Sequence, residues 1–387
     1  MNIRPCGLLL LNLRTELGDL QSILNQTLLE KKVDHCSALI KITPSGEVLT
    51  AHNSWTSYTW MLRVLKKYSL PFRSSHSAEV AFSSYPGVIF SIDDFYITSA
   101  RLVVLETSIA NFNSALWADV KLGHFTFEFI RNSVANRLAV NGSHWAEVFS
   151  RENGGTYNNQ FMIVDYKKAA TKSSGLLTVL EQLPGMIAYS DRTAALLKTS
   201  YHASYNVPMY EVIYSASGYE EMAARYGDFF SYQKTARARI FARDQTRVTN
   251  LTSLYRLMRY NDMFHDPLSR CEQCTPKWEG KYAIAARADL NDPNGSYPIP
   301  FIGFQDEGAI DAKMTSGKLV DDNLQMVAVS GPTGEQVPAF SWATTKLRNA
   351  PHVDQPAGEW RFKPVRTVWG GGDEGKMVGF PEFGFDE

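Results

Sequence analysis

The chain has 387 residues, of which 44% are hydrophobic and 12% are aromatic, and its formal net charge is −1. This length and composition are enough for one large or two medium domains with a buried core. The balanced charge, with no basic stripe, argues against nucleic acid as a partner, and no apolar run reaches the ~18–20 residues that a membrane-spanning helix needs.

The first 35 residues predict a strand, a helix and a polar linker. Residues 3–13 are apolar and predict a buried strand, in which Cys6 is expected to be a small buried side chain. Residues 16–31 predict a helix, because their leucines recur at three- and four-residue spacing along one face. A short polar linker, residues 31–35, then leads into the next strand.

A β-hairpin is predicted directly after this linker. Residues 36–42 alternate between two faces, residues 43–47 contain the proline and glycine of a tight turn, and residues 48–55 form the return strand.

The register of this hairpin decides which side chains meet. If Ile42 pairs with Val48, Cys36 lies opposite Ser54 and becomes a diagonal neighbour of His52, roughly 7–8 Å away at the backbone. A slip of one residue would move Cys36 and His52 to opposite faces, so their proximity is a prediction that depends on the register.

Cys36 has two interpretations. A free cysteine in a strand is most often an ordinary buried side chain. A nucleophilic cysteine needs a base, because few thiols are ionised at pH 7 when the pKa is about 8.5. That base is either His52 or the α-amino group that Cys36 would gain if the His35–Cys36 bond were cut. His52 and Trp55, taken alone, are each more often core residues.

The rest of the chain predicts further strands and helices. Strands are expected at residues 79–82, 88–92, 95–97, 101–106 and 162–166, and residues 178–183 continue the layered pattern. Helices are expected at residues 55–68, 113–120, 124–136, 144–151, 219–226 and 249–258. Residues from 262 onward are rich in proline, glycine and aromatic side chains, and residues 370–387 predict a disordered tail. These runs indicate an α+β or a layered α/β fold.

Two polar positions outside the hairpin are candidate site residues. Residues 154–160 form a glycine-rich turn whose Asn158 and Asn159 could donate to an oxyanion, although a polar turn that tolerates left-handed φ explains them as well. Thr107 ends a strand and offers a hydroxyl, or simply caps the strand.

Cys271 and Cys274 form the one close cysteine pair in the sequence. A zinc site would need further cysteine or histidine ligands at suitable spacing, which the sequence lacks, so no metal and no cofactor are expected. A short local disulfide is the preferred interpretation, and two free loop thiols are the alternative.

The sequence contains the glycosylation motif Asn-x-Ser/Thr at Asn25, Asn141, Asn250 and Asn294. Each motif alone is weak evidence, but together they favour a protein of the secretory pathway.

Several motifs along the chain carry a resemblance to one family. They are HCSALIK (35–41), AHNSW (51–55), FSSYPG (82–87), SIDDFY (91–96), LET (105–107), GTYNNQ (155–160), IVDY (163–166), LEQLPGM (180–186), ASYN (203–206), LMRYND (257–262) and HDPLS (265–269). In these segments the sequence resembles the phospholipase B-like (lamina ancestor) family, collinearly from about residue 3 to residue 369.

The resemblance implies an N-terminal-nucleophile hydrolase with a four-layer αββα sandwich. It implies that the chain cuts itself before Cys36, which becomes the nucleophile with its own amine as base. His52 and Trp55 would line the site, Thr107 would lie nearby, and Asn159 would be the oxyanion donor, with Asn158 as a weaker candidate. The family's Cys-x-x-Cys disulfide falls on the pair at 271 and 274.

The resemblance also implies a substrate class and a location. The substrate is expected to be a lipid-like acyl ester, or an acyl amide as in the choloylglycine hydrolases and acid ceramidase that share the fold. The alternative is a binding or scaffold protein that cleaves itself but turns over little. A lysosomal or secreted glycoprotein is expected, and a homodimer is the assembly considered.

The resemblance further predicts three segments. Residues 1–35 would be the remnant of a longer N-terminal fragment, residues 36–369 the catalytic domain, and residues 370–387 the tail. Family precursors carry a signal peptide and a long fragment before the cysteine, so the sequence is expected to lack part of that fragment.

Overall fold

A computed structural model describes residues 4–25, 35–93, 95–121, 123–347, 350–352, 354–369 and 377–379. The chain divides into two compact units. Unit 1 comprises residues 1–33, 63–199 and 206–222, and unit 2 comprises residues 34–62, 200–205 and 223–387.

Runs of strands and runs of helices follow one another along the chain. The α-helices are α1 (Pro5–Asn12), α2 (Arg14–Asn25), α3 (Glu128–Leu138), α4 (Gly142–Ser150), α5 (Thr193–Thr199), α6 (Glu211–Ala216), α7 (Tyr219–Tyr226), α8 (Ala236–Asp244), α9 (Leu251–Met258) and α10 (Gly317–Asp321). The strands are β1 (His35–Ile42), β2 (Val48–Thr56), β3 (Val64–Ser69), β4 (Glu79–Ser84), β5 (Phe95–Thr98), β6 (Leu102–Ser108), β7 (Asn159–Asp165), β8 (Leu177–Leu183), β9 (Met186–Asp191), β10 (Tyr201–Ser204), β11 (Gly308–Ala309), β12 (Asp311–Ser316), β13 (Val327–Ser330), β14 (Val365–Thr367) and β15 (Met377–Gly379).

Unit 1 is built on an antiparallel sheet in which consecutive strands are neighbours, in the order β3-β4-β5-β6-β7-β8-β9. One face of this sheet packs against α3 and α4. Trp145 and Phe149 of α4 lie with their ring centroids 5.1 and 4.7 Å from that of Phe161 on β7. This aromatic cluster is the core of the helix-covered face.

Unit 2 is built on a second antiparallel sheet, in the order β10-β1-β2-β12-β13-β14-β15, with β11 also pairing with β2. Its first hairpin has the predicted register, since Ile42 pairs with Val48 and Cys36 pairs with Ser54. Both faces of this hairpin are buried, so the short turn sets the register, in which Thr43 donates to the carbonyl of Glu47 and Gly46 to that of Thr43.

Antiparallel sheets with helices confirm the predicted α+β class and agree with the αββα sandwich. The strands predicted near residues 79, 95, 101 and 162 correspond to β4, β5, β6 and β7, and residues 178–183 lie in β8. The helices predicted near residues 124, 144, 219 and 249 correspond to α3, α4, α7 and α9.

The prediction of a strand at residues 3–13 is wrong, because the structure has α1 there. An apolar run without periodicity fits either element. Pro5 at the first turn favours a helix, since its missing N–H has no helical partner there. Cys6 is exposed on this helix and is not the buried side chain that was expected.

Two further predictions fail. Residues 55–68 finish β2 and then form a short 3₁₀ turn, Tyr58–Trp60, and strand β3 instead of a helix. Pairing of β3 with β4 overrides the helical spacing of its apolar residues. The structure has turns and bends at residues 88–92 instead of a strand. The helix predicted at residues 113–120 is present as a 3₁₀ helix, Ser114–Asp119.

The described part of the chain contains no helix long and apolar enough to cross a membrane. Residues 370–376 and 380–387 of the predicted tail lie outside the described residues, as do residues 26–34 of the predicted helix and linker. The predicted boundaries between the N-terminal remnant, the catalytic domain and the tail stay predictions.

Candidate active site

Cys36 lies at the start of β1 in unit 2, and the hairpin brings His52 to the same face. The register pairs Cys36 with Ser54 and Ala38 with His52. Paired residues of antiparallel strands project to one face, so Cys36 and His52 are diagonal neighbours, as predicted. Both are buried, with 4% and 0% of their surfaces exposed. His35 begins the strand, and its side chain lies outside the described residues.

Arg237 of α8 holds the backbone of Cys36 and was missed in the sequence. Its guanidinium donates to the carbonyl oxygen of Cys36 at 2.6 Å and to that of Tyr205 at 2.6 Å. It also lies 4.3 Å from the ring centroid of Trp55. Nothing near Arg237 in the sequence marks it, because only the fold brings α8 to β1.

Trp55 is buried on the face of the sheet opposite to Cys36 and His52, because strand residues alternate. Its indole nitrogen donates to Oδ1 of Asn53 at 3.0 Å, and the same oxygen accepts from the backbone N–H of Ser37 at 3.0 Å. Trp55 is therefore connected to the strand of Cys36 through Asn53 and Arg237. Its predicted role as a wall of the site stays a prediction.

Thr107 of β6 in unit 1 is fully buried. Its hydroxyl oxygen accepts from the backbone N–H of Asn206 at 3.4 Å, and the Asn206 side chain donates to the carbonyl of Ser108 at 2.8 Å. Asn206 has a positive φ of 66°, which asparagine tolerates better than most residues. An asparagine two residues after the end of β10 is the signal that could have drawn attention to it.

Asn159 begins β7 in unit 1 and is fully buried. Within the described residues its side-chain nitrogen and oxygen have no hydrogen-bond partner, a costly state that a ligand would relieve. Thr107 pairs with Gln160 and Ser108 pairs with Asn159, so Thr107 and Asn159 project from opposite faces of the sheet. The Asn158 side-chain oxygen likewise has no partner among the described residues.

Glu181 of β8 is a buried carboxyl that was not singled out in the sequence. It lies beside Gln160, whose side chain donates to it, and it accepts from the backbone N–H groups of Met209 and Tyr210. Burial raises the pKa of Glu181 to about 7, although these donors lower it. Thr107 on β6, Gln160 on β7 and Glu181 on β8 are paired across the sheet. Glu181 holds the side chain of Gln160 through the hydrogen bond between them.

The predicted disulfide is present, with the sulfur atoms of Cys271 and Cys274 bonded in a loop of unit 2. This confirms the local disulfide over two free thiols.

The predicted glycosylation positions fall on helix ends and loops. Asn141 and Asn250 are the N-caps of α4 and α9, and each accepts a backbone N–H through its side-chain oxygen. Asn294 is exposed in a loop. Asn25 ends α2, and its side chain lies outside the described residues.

The structure is that of an α+β protein in which the buried Cys36 lies at the start of β1. The guanidinium of Arg237 donates a hydrogen bond to the carbonyl oxygen of this cysteine. The chain belongs to the phospholipase B family: the family model named Phospholipase B matches residues 1–367.

Curated relatives support the same assignment. The chain is 49% identical over 383 residues to "Putative phospholipase B-like 2" of Rattus norvegicus, covering 95% of this chain and 65% of that protein. It is 39% identical over 369 residues to "Phospholipase B-like protein B" of Dictyostelium discoideum, covering 90% of this chain and 62% of that protein. The chain thus spans somewhat less than two thirds of the length of these relatives.

Among solved structures, the chain is similar to a penicillin V acylase from Agrobacterium tumefaciens, with a TM-score of 0.40 and 10% identity over 86% of this chain and 90% of the acylase.

Proposed function

We propose that this protein is a hydrolase of lipid-like acyl ester bonds that activates itself by cleaving the His35–Cys36 bond. Cys36 would be the nucleophile, and its new α-amino group the general base. The observation that carries the proposal is the place of Cys36: a buried cysteine at the start of a strand, directly after a segment that family members cut.

Both chemical steps use the same sulfur atom. In processing, the Cys36 thiol adds to the carbonyl carbon of His35, the His35–Cys36 C–N bond breaks, and the thiol proton passes to the departing nitrogen, which leaves a thioester and a free α-amine. Water hydrolyses this thioester, which restores the thiol and releases the segment with a new carboxyl group on His35. In turnover, the thiol attacks the acyl carbonyl of the substrate ester, the amine takes the thiol proton and gives it to the leaving alcohol as the C–O bond breaks, and water hydrolyses the resulting thioester to the free acid and the thiol. The amine suits this task because its pKa is about 7.7–8.0, close to that of the thiol.

Arg237 supports both steps from the backbone side. Its hydrogen bonds to the carbonyls of Cys36 and Tyr205 hold the start of β1, where the sulfur lies. A charge-assisted pair of this kind holds geometry better than neutral hydrogen bonds do. His52, on the face of Cys36, keeps an orienting role.

Asn159 remains the proposed oxyanion donor, supported by its side-chain amide, which has no partner among the described residues. Replacing Asn159 with alanine should lower kcat about 100-fold or more with little change in KM, in line with the loss of one oxyanion donor. Replacing Asn206 with alanine is the matched comparison. A larger loss of kcat there would move the role to Asn206.

Intact-mass and N-terminal analysis of the purified protein test the self-processing. We expect a new terminus at Cys36 after acidification, and no cleavage when Cys36 is replaced with alanine. The matched control is Cys6→Ala, which removes the other free thiol and should be cut normally. An intact His35–Cys36 bond in the unaltered protein would falsify the self-processing proposal.

Product analysis tests the reaction class. We expect release of free fatty acid from phosphatidylcholine, and loss of this release in the Cys36→Ala protein. Release of acid from N-acyl amines alone would assign the amide hydrolase instead. Processing without release from either substrate class would favour the alternative, a protein that cleaves itself but serves in binding.

We also propose that the protein is a lysosomal or secreted glycoprotein. The disulfide supports an oxidising compartment. Asn141 and Asn250 use the side-chain oxygen as a helix cap, and N-glycans attach to the nitrogen, so both functions are compatible. A mass decrease on treatment with an N-glycosidase would support this proposal, and an unchanged mass of protein from a secretory host would contradict it.

A further inference from the structure

The outward side of α3 in unit 1 is apolar along most of its length. Ile130 and Val134 lie one turn apart on this side, with 39% and 41% of their surfaces exposed. The charged residues Glu128 and Arg131 of the same helix are buried, so Arg137 in the last turn is the only charged residue that α3 turns outward. A surface helix usually places its charged residues on that side, so the apolar side of α3 needs an explanation.

The loop between β3 and β4 continues this apolar side beyond the end of the helix. The backbone carbonyl of Arg137 accepts from the N–H groups of His76 at 2.8 Å and Ser77 at 3.0 Å, which fixes the loop against α3. The guanidinium of Arg137 lies 5.5 Å from the ring centroid of Phe72. Phe72 and Leu70 are 59% and 42% exposed.

The helix and the loop therefore form one continuous surface. Val134 and Ile130 lie three and seven residues before Arg137, which places all three on one side of the helix, and Arg137 contacts Phe72. We call this surface the Phe72 ridge, and it consists of Leu70, Phe72, Arg73, Ile130, Val134 and Arg137.

The backbone of the loop holds Phe72 in its exposed position. The N–H of Phe72 donates to the carbonyl of Leu70 at 2.9 Å, and the carbonyl of Phe72 accepts from the N–H of Ser75 at 3.0 Å and from its hydroxyl at 2.9 Å. The N–H of Leu70 donates to the carbonyl of Ala78 at 2.8 Å. An ordered loop thus keeps a phenylalanine in contact with water, at the cost of leaving its apolar surface unburied.

The charge around the ridge is positive. Residues 57–78 contain no aspartate or glutamate, and Arg73, next to Phe72, is exposed. The nearest acidic residue along the chain, Glu79, is paired with Lys67 at 3.1 Å. The ridge therefore combines an apolar surface with a local excess of positive charge, a combination that suits a surface carrying both apolar chains and anionic groups.

We propose that the Phe72 ridge docks on the surface of an anionic phospholipid bilayer. Leu70 and Phe72 enter the boundary between the headgroups and the acyl chains, and Ile130 and Val134 lie against it. Arg73 and Arg137 stay at the level of the phosphates, to which guanidinium groups bind. The proposal deepens the proposed function and rests on it, since a hydrolase of lipid-like esters meets its substrate at such a surface.

A second copy of the chain fits the ridge less well than a bilayer does. A stable protein–protein interface buries about 800 Å² on each partner, and four apolar side chains that are 39–59% exposed supply much less. Two positively charged ridges would also repel each other, whereas an anionic bilayer attracts them.

The test is sedimentation of the protein with vesicles of phosphatidylcholine alone and of phosphatidylcholine mixed with phosphatidylserine. All variants are made in the Cys36→Ala protein, so that no lipid is consumed. They are Phe72→Ser, Phe72→Leu, Ile130→Ser and Arg73→Gln. The matched controls lie in unit 2: Phe362→Ser, at a phenylalanine that is 47% exposed, and Arg239→Gln, at an exposed arginine. Thermal melting checks the fold of each protein.

We expect Phe72→Ser to weaken binding to the mixed vesicles about tenfold, because the burial of one phenylalanine side chain is lost. Ile130→Ser should have a smaller effect in the same direction, and Phe72→Leu should retain most of the binding. Arg73→Gln should weaken binding to the mixed vesicles about fivefold and leave binding to phosphatidylcholine alone unchanged. The two unit 2 controls should bind as the parent protein does.

Three results would overturn the proposal: a parent protein that does not sediment with the mixed vesicles, a Phe72→Ser protein that binds as tightly as the parent, or an equal loss in Phe362→Ser. Sedimentation equilibrium without lipid tests the second copy. A dimer that dissociates in Phe72→Ser, without vesicle binding by the parent, would assign the ridge to contact between copies.

Binding and turnover are separate measurements. Vesicle binding that depends on Phe72, in a protein whose active form releases no fatty acid, would leave the ridge standing and remove the proposed function. Release of fatty acid at an equal rate by Phe72→Ser and by the unaltered protein, with Cys36 in place and vesicles as substrate, would do the reverse.

Discussion

Two buried polar clusters, one in each unit, contain carboxyl groups that have different neighbours. In unit 2, Asp311 is matched by the ammonium of Lys313 at 2.8 Å. In unit 1, the carboxyl groups of Glu16 and Glu128 are buried together, with 0% and 1% exposed. The first cluster holds a compensated pair of charges, and the second holds two like groups.

The unit 1 cluster has neutral donors. Glu16 accepts from the backbone N–H of Glu128 at 3.0 Å and from the hydroxyl of Thr156 at 2.6 Å. The guanidinium of Arg131 is near enough to lower both pKa values, but it donates to the carbonyl of Phe149 and to the side chain of Gln182. Burial dominates, and it raises the pKa of Glu16 to about 7 and that of Glu128 to about 8.

This difference indicates that the unit 1 cluster is the one whose protonation changes near neutral pH. In unit 2 the ammonium of Lys313 compensates the carboxylate of Asp311. The two carboxyls of unit 1 are protonated in acid and are forced to ionise in a buried site as the pH rises. Glu16 lies on α2, so the attachment of the segment before Cys36 to the rest of unit 1 should be tightest in acid.

The largest expected effect comes from breaking the compensated pair. Lys313→Met should lower the free energy of unfolding by about 3–5 kcal/mol, because the carboxylate of Asp311 is left buried without its cation. Urea unfolding at pH 7 measures it.

The double change Lys313→Met/Asp311→Leu should recover most of this loss, since it removes both charges. Lys41→Met is the matched control, and it should cost less because Lys41 donates to the neutral side chains of Ser200 and Gln245. Equal losses in Lys313→Met and Lys41→Met would show that the pairing with Asp311 does not set the size of the effect.

The second effect is the pH dependence of unit 1. The pKa values of Glu16 and Glu128 are raised from 4.5 to about 7 and about 8, so the folded state binds more protons than the unfolded state between these values. The contribution of these two groups to stability is therefore fully present below pH 4.5 and is lost as the pH rises to about 8.

Unfolding by urea at a series of pH values measures this slope. Glu128→Gln should flatten it, because one carboxyl is gone and the remaining one loses its like neighbour. Glu147→Gln, an exposed carboxyl on α4 in the same unit, should leave the slope unchanged. A slope of the opposite sign, or one that is unchanged in Glu128→Gln, would contradict the interpretation of the cluster.

The smallest effect is expected at Thr156. Thr156→Val removes the hydroxyl that donates to Glu16 and keeps the shape of the side chain. We expect a loss of about 1–2 kcal/mol near neutral pH, where Glu16 is partly ionised, and a smaller loss at pH 4. Thr156→Ser should behave as the unaltered protein, and an equal loss by serine and valine would point to packing instead of the hydrogen bond.

The parts that were predictable from the sequence are those with local causes. The register of the β1–β2 hairpin followed from alternation and turn residues, and α7 was predicted with the bounds that the structure has, Tyr219–Tyr226. The errors lie where local signals are ambiguous. The apolar run of α1 suits helix and strand equally, and β3 became a strand because β4 offers it a partner.

The sequence by itself determined the α+β class, the disulfide pair, and the placement of Cys36 and His52 on one face, because alternation and short spacing act over a few residues. Only the tertiary structure decided that Arg237 donates to the carbonyl of Cys36 and that Lys313 donates to the hydroxyl of Ser54. Arg237 and Lys313 are each separated from β1 by about 200 positions or more along the chain. Hydrogen bonds and ion pairs act over a few ångströms in space, and no local pattern records which distant segments the fold brings together.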